Sequence, residues 1–190
     1  MRSSRVNVSL AVLSLTVACN QTPAKEPVTA AYDSASGKLS QITINAAKDG
    51  KPNVFSYMNG SMIVRIEIDN NEDGKIDRWE YYGPDQKLER VGMSRANDGK
   101  QDSWAYHAPD GSIARIEIST KPDATPNRTE FYEKGTLARV EEDTNGDGRI
   151  DKWEEYEAGE LVSASFDTTG SGKPTTSVDY RKQSVPPTKP

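Results

Sequence analysis

Two stretches of this chain gather oxygen-bearing side chains at a spacing that suits a hard cation. One reads Asp69-Asn70-Asn71-Glu72-Asp73-Gly74-Lys75-Ile76-Asp77-Arg78-Trp79-Glu80, the other Asp143-Thr144-Asn145-Gly146-Asp147-Gly148-Arg149-Ile150-Asp151-Lys152-Trp153-Glu154. Calcium takes about six to eight oxygen ligands, and alternating carboxylates and amides around a glycine that permits a sharp bend can supply them. Such groups, packed into nine residues, repel one another unless a cation is present. The plainer reading is that Asp and Asn make polar hairpin turns. Related stretches of the same chain weigh against it. Asp49-Gly50 and Asp98-Gly99 keep the turn, yet Asn45, Ala47 and Asn53 surround the first, and Ser94 and Ala96 precede the second. A turn here does not require a carboxylate cluster, and two of the stretches have one.

Both stretches resemble the calcium loop of EF-hands, D-x-[DN]-x-[DN]-G-x5-E, at every constrained position, with Ile76 and Ile150 as the apolar residue at place eight. The resemblance implies Asp69, Asn71, Asp73 and Asp77 as side-chain ligands with the Lys75 carbonyl, and Asp143, Asn145, Asp147 and Asp151 with the Arg149 carbonyl. An EF-hand has helices on either side, whereas the flanks here alternate as strands do. In a strand Glu80 lies three residues past Asp77, about 10 Å on and facing the other way. Glu80 and Glu154 are therefore the weaker members of each set. Affinity is expected in the range of extracellular modules, on the order of 0.1–1 mM.

The elements that must carry these loops repeat every 24 or 25 residues: Ile42–Arg65, Ile66–Arg90, Val91–Arg115, Ile116–Arg139, Val140–Ala164 and a partial unit from Ser165. One column holds Leu39, Ile63, Leu88, Ile113, Leu137 and Leu161. Another holds Gln41, Arg65, Arg90, Arg115, Arg139 and Ser163, and the next position Ile42, Ile66, Val91, Ile116, Val140 and Ala164. Aromatic columns follow: Phe55, Trp79, Trp104 and Trp153, broken by Thr129; then Tyr57, Tyr81, Tyr106 and Phe131; then Met58, Tyr82, His107, Tyr132, Tyr156 and Tyr180. Val64, Ile66 and Ile68 alternate with Arg65, Glu67 and Asp69, the period of a half-buried strand. Asp-Gly pairs and a second turn such as Gly83-Pro84-Asp85 bound each strand.

The expected fold class is all-β: an antiparallel meander of tandem two-stranded repeats, about eleven or twelve strands in a twisted or curled single sheet. The Ile, Val and aromatic columns are expected on one face and the Arg and Glu columns on the other. The pattern resembles the tandem hairpin repeats of bacterial surface proteins, YD-type and MORN-variant repeats, from about Leu39 to Tyr180. That resemblance implies no particular activity. Hydrophobic residues are 34% of the chain, where nearly half is usual in a globule, so a thin sheet fits better than a thick core.

The start of the chain differs. Arg2 and Arg5 precede the mostly apolar run Val6–Ala18, too short for a membrane span and suited to a signal peptide. It ends in Leu15-Thr16-Val17-Ala18-Cys19, which resembles the lipobox of bacterial lipoproteins. That resemblance implies a lipidated Cys19 at the mature N-terminus, a membrane anchor and an envelope location at the outer membrane or cell surface. The expected division is a signal peptide over 1–18, a lipidated tether over 19–31, the repeat domain over 32–181 and a structureless tail over 182–190, where Pro186, Pro187 and Pro190 lie.

The mature chain would carry 22 basic against 29 acidic residues. With no basic run, nucleic acid is not expected as a partner. His107 is the single histidine and Cys19 the single cysteine, and no Ser-His-Asp, histidine metal or glycine-rich phosphate motif is present. The sequence therefore points to a non-catalytic module, binding calcium and offering a surface to a protein or glycan partner. The alternative is a carbohydrate-binding module using exposed tryptophans. Against it, the tryptophan column reads more simply as the sheet's own apolar face.

Overall fold

The computed structural model describes residues 28–181. They form one antiparallel sheet of 13 strands in sequence order: β1 Val28–Tyr32, β2 Leu39–Ile44, β3 Val54–Asn59, β4 Met62–Ile68, β5 Arg78–Tyr82, β6 Leu88–Met93, β7 Ser103–His107, β8 Ile113–Ile118, β9 Arg128–Glu133, β10 Thr136–Glu142, β11 Lys152–Glu157, β12 Glu160–Phe166 and β13 Thr176–Asp179. The sheet is all-β, single-layered and open, because β1 and β13 each pair on one side only. The first strand begins at Val28, inside the segment expected as a tether. The signal peptide, Cys19 and the tail after residue 181 lie outside the described residues.

Two kinds of turn alternate. At one end the hairpins close tightly. Lys134-Gly135 and Ala158-Gly159 are two-residue loops in which both residues have positive φ, the backbone that matches the right-handed twist of the flanking strands. Beside these turns the register slips by one residue in every hairpin, so Ser40, Val64, Glu89, Ala114, Ala138 and Val162 stand as bulges. The bulges explain a spacing that strict alternation cannot. Ile63 and Ile66 are three apart yet reach one face, because Val64 drops out of the ladder and is 49% exposed. Val64 therefore does not share the alternation of Ile66 and Ile68 expected from the sequence.

At the other end lie six nine-residue loops: 45–53, 69–77, 94–102, 119–127, 143–151 and 167–175. They set the register between repeats, with Ile68 opposite Arg78, Glu67 opposite Trp79 and Arg65 opposite Tyr81. Directly opposed residues in an antiparallel pair share a face. The expected segregation is therefore corrected. Trp79, Tyr81, Trp104, Tyr106 and Trp153 stand on the face of the Arg and Glu columns. Only the column of Tyr82, Tyr132 and Tyr156 joins the Ile and Val columns. The best-shielded positions run along the middle of that second face, with Val91 at 3%, Ala105 at 5%, Val140 at 1% and Ala164 at 3% exposed.

Candidate metal loops and the aromatic face

The six loops are built alike. In each, the last residue returns its backbone N–H to the strand before the loop, as Asp77 does to the Ile68 carbonyl at 2.9 Å and Asp151 to that of Glu142 at 3.0 Å. From the second loop to the sixth, the first residue donates its N–H to the carbonyl of the last residue of the loop before. Asp69 reaches Asn53 in this way, Ser94 reaches Asp77 and Asp143 reaches Asn127. The loops thus stack along one end of the sheet, continuing its ladder.

From the second loop to the sixth, side chains at places one and nine hold the loop from within. Asp69 accepts from the amides of Asp73 (3.2 Å) and Gly74 (2.8 Å), and Asp77 from those of Asn70 (2.8 Å) and Asn71 (3.2 Å). Asp143 accepts from Gly146 (2.6 Å) and Gly148 (2.9 Å), and Asp151 from Thr144 (2.9 Å) and Asn145 (3.2 Å). Asn71 and Asn145 each accept from the amide two residues on, as do Asp73 and Asp147, which take the Lys75 and Arg149 amides. In the loop at 94–102, Ser94 Oγ and Asp102 make the equivalent bonds. The frame therefore needs a hydrogen-bond acceptor at these places, not a charge.

The second and fifth loops differ from the others in charge and in their neighbours. They alone place three aspartates and an asparagine at places one, three, five and nine, oxygen ligands of the kind a calcium ion takes. Among the described residues, no three His, Cys, Asp or Glu side chains come together closely enough to hold a metal ion. One carboxylate already has a cation. Lys121 Nζ, from the loop before, sits 3.0 Å from Asp143 Oδ2, and the Asp143 side chain is 4% exposed. Burial would raise the Asp143 carboxyl, but the Lys121 ammonium and the Gly148 and Gly146 amides outweigh it and hold the group below its ordinary value. Asp69 has no ammonium partner among the described residues. Lys75 and Arg149 reach instead to carbonyls of the next loops, those of Asn97 and Gly170.

Glu80 and Glu154 lie on the Ile and Val face, away from the loops. Glu80 is held by Arg78 at 2.7 Å and by the Tyr82 hydroxyl at 2.7 Å. Glu154 is held by Lys152 at 2.7 Å and the Tyr156 hydroxyl at 3.0 Å. Glu130 repeats the arrangement with Arg128 and Tyr132. Burial raises each of Glu80 and Glu154, and the phenol and cation overcome it, leaving both carboxyls below their ordinary values. Burial and then the carboxylate push Tyr82 and Tyr132 up to about 12. His107 takes the tyrosine's place in its repeat, opposite Ile113, with Nδ1 buried and unpaired.

On the other face the arginine column and the Tyr57, Tyr81, Tyr106 and Phe131 column merge into one row. Each arginine lies over the aromatic ring of its hairpin partner: Arg65 over Tyr57 at 4.2 Å, Arg90 over Tyr81 at 4.1 Å, Arg115 over Tyr106 at 3.8 Å and Arg139 over Phe131 at 4.2 Å. The spacing of Arg65 to Tyr57 in sequence held the signal, but only the bulge brings the two into register. Trp79 is 8% exposed, so this member of the tryptophan column offers no open platform.

No known protein family matches the chain, and no curated protein does. Among solved structures it is similar to an S. aureus TarM mutant crystallised with fondaparinux, α-GlcNAc-glycerol and UDP. Identity is 12% and the TM-score 0.41, over 50% of this chain and 18% of that one. It is also similar to accessory secretory proteins 1, 2 and 3 of Streptococcus pneumoniae, at 14% identity and a TM-score of 0.26, over 85% of this chain and 22% of that one. This chain spans about a fifth of the length of either. At these scores the likeness bears on neither its fold nor its activity.

Proposed function

We infer that the protein is a lipid-anchored, non-catalytic scaffold of the bacterial envelope. Its open sheet is held out to a protein partner, and calcium in the loops at 69–77 and 143–151 stiffens it. The observation that supports the calcium reading is the loop at 69–77, where Asp69, Asn71, Asp73 and Asp77 stand at places one, three, five and nine and Asp69 has no ammonium partner among the described residues; the loop at 143–151 has the same set. In the latter an ammonium takes the first-place carboxylate. When bound, the ion would be held by Asp69, Asn71, Asp73, Asp77 and the Lys75 carbonyl, or by their counterparts Asp143, Asn145, Asp147, Asp151 and the Arg149 carbonyl. It would neutralise the carboxylates and tie adjacent hairpins together. Glu80 and Glu154 are left out of both sets, since an arginine or lysine and a phenol occupy them.

Calorimetry on the mature chain carrying Cys19→Ser tests this. The expected result is saturable binding with a dissociation constant on the order of 0.1–1 mM and a stoichiometry near one, because Lys121 competes for Asp143. Lys121→Met adds a second site. No heat at about 10 mM calcium, ten times the expected constant, would remove the ion from the account. In cells, the unaltered protein is expected in the membrane fraction and the Cys19→Ser protein in the soluble one. Equal partition of the two would remove the anchor.

A further inference from the structure

The repeat at 91–115 departs from its neighbours at positions that meet in space. Glu67, Glu117 and Glu141 each pair with the arginine two residues before them, at 3.0, 2.9 and 3.0 Å. Two residues after Arg90 stands Gly92 instead, and among the described residues Arg90 has no carboxylate partner. The eighth loop place is Pro52, Ile76, Pro126, Ile150 and Pro174 elsewhere, but Gln101 here. The two departures fit one another. Gln101 folds back over Gly92, and a Cβ on that glycine would collide with its carboxamide. Trp104 Nε1 donates to the carboxamide oxygen at 3.0 Å, and the carboxamide nitrogen donates to the Tyr81 hydroxyl at 2.8 Å. Trp79 and Trp104 lie opposite Gly92 on the strands to either side, roughly 9.5 Å apart at two strand spacings.

We propose that this slot receives an acidic side chain from a protein partner, its carboxylate displacing the Gln101 carboxamide and pairing with Arg90. The chain itself supplies the precedent, since three of the four stacked guanidiniums in the row already bind a glutamate. A carboxylate has the shape of the carboxamide it replaces and accepts from the same Trp104 N–H and from the Tyr81 hydroxyl. It exchanges neutral hydrogen bonds for a charge-assisted one, which is roughly twice as strong. Arg90, Tyr81 and Trp104 are also of the residue types that carry most of the energy in protein interfaces. This inference rests on the scaffold reading but not on calcium.

The test is an NMR titration of the Cys19→Ser mature chain in EDTA, at fixed ionic strength, following the indole N–H signal of Trp104. The probes are N-acetyl-glutamate, its neutral counterpart N-acetyl-glutamine, and glucuronate. N-acetyl-glutamate is expected to shift the signal with a dissociation constant on the order of 10 mM, and N-acetyl-glutamine not to. Gln101→Ala empties the slot and tightens binding several-fold. Arg90→Gln weakens it about tenfold. The double variant Gly92→Glu with Gln101→Ala supplies the repeat's own carboxylate; it is expected to fold at least as stably and to stop responding. An unmoved signal, or a response that survives Arg90→Gln, overturns the site. A shift by glucuronate alone overturns the assignment to a protein partner. Because the titration is free of calcium and of any partner, its failure is separate from that of the scaffold reading.

Discussion

Lys121, Glu80 and Glu154 show what side chains of this protein do that their spacing alone does not reveal. The two glutamates complete a calcium-loop pattern in sequence, yet a strand turns them to the far face, where Arg78 or Lys152 and a tyrosine hold them. The sequence carried the reason for doubting them, because alternation of Ile76, Arg78 and Glu80 against Asp77 and Trp79 already implied opposite faces. It did not carry Lys121, whose loop is a neighbour of 143–151 only through the stacking of the sheet. The Arg–Glu–Tyr groups have a pH signature. Tyr82 and Tyr132 are raised in the folded state, so their contribution to stability is full below the ordinary tyrosine value and is lost as pH climbs towards about 12. Glu80 and Glu154 are lowered, so theirs is present above the ordinary glutamate value and fades as pH falls through the folded one. Absorbance titration at alkaline pH should find two of the eight tyrosines ionising late, near 12, and Glu80→Gln should bring one of them back towards 10. All eight ionising together would contradict the half-buried phenol–carboxylate pairs.

At the scale of the element, strands and turns were legible because alternation and Asp-Gly pairs are local signals. Faces were not, because register depends on loop length and on the bulges. A sequence that reads Arg65-Ile66-Glu67 fixes which residues alternate, and says nothing of what stands opposite until nine loop residues place Trp79 beside Glu67. The loops share a backbone requirement that can be measured. The sixth place has positive φ in all six, and it is glycine in five and Ala124 in the fourth, at φ 58°. An L-residue there costs about 1–2 kcal/mol. Ala124→Gly should therefore raise stability by about 1 kcal/mol in urea denaturation, with an unchanged m-value. A loss of stability would mean that the Ala124 methyl makes contacts that outweigh its backbone strain.

The described residues, 28–181, form one layer in which each strand pairs only with its neighbours in sequence. Stability in such an array is close to a sum of hairpin terms and of interfaces between adjacent hairpins. Surface Arg–Glu pairs add little each, under about 1 kcal/mol, so ties between loops matter more here than in a molecule with a deep core. The central claim is that two of six similarly framed loops also take a cation, and the other four serve as controls within the same chain. Hydrogen exchange read by mass spectrometry, with and without about 10 mM calcium, tests it most directly. Slowed exchange confined to 69–77 in the unaltered chain, extending to 143–151 once Lys121→Met frees Asp143, with 94–102 unchanged in both, is the predicted result. Protection that is absent, or spread evenly over all six loops, would contradict it.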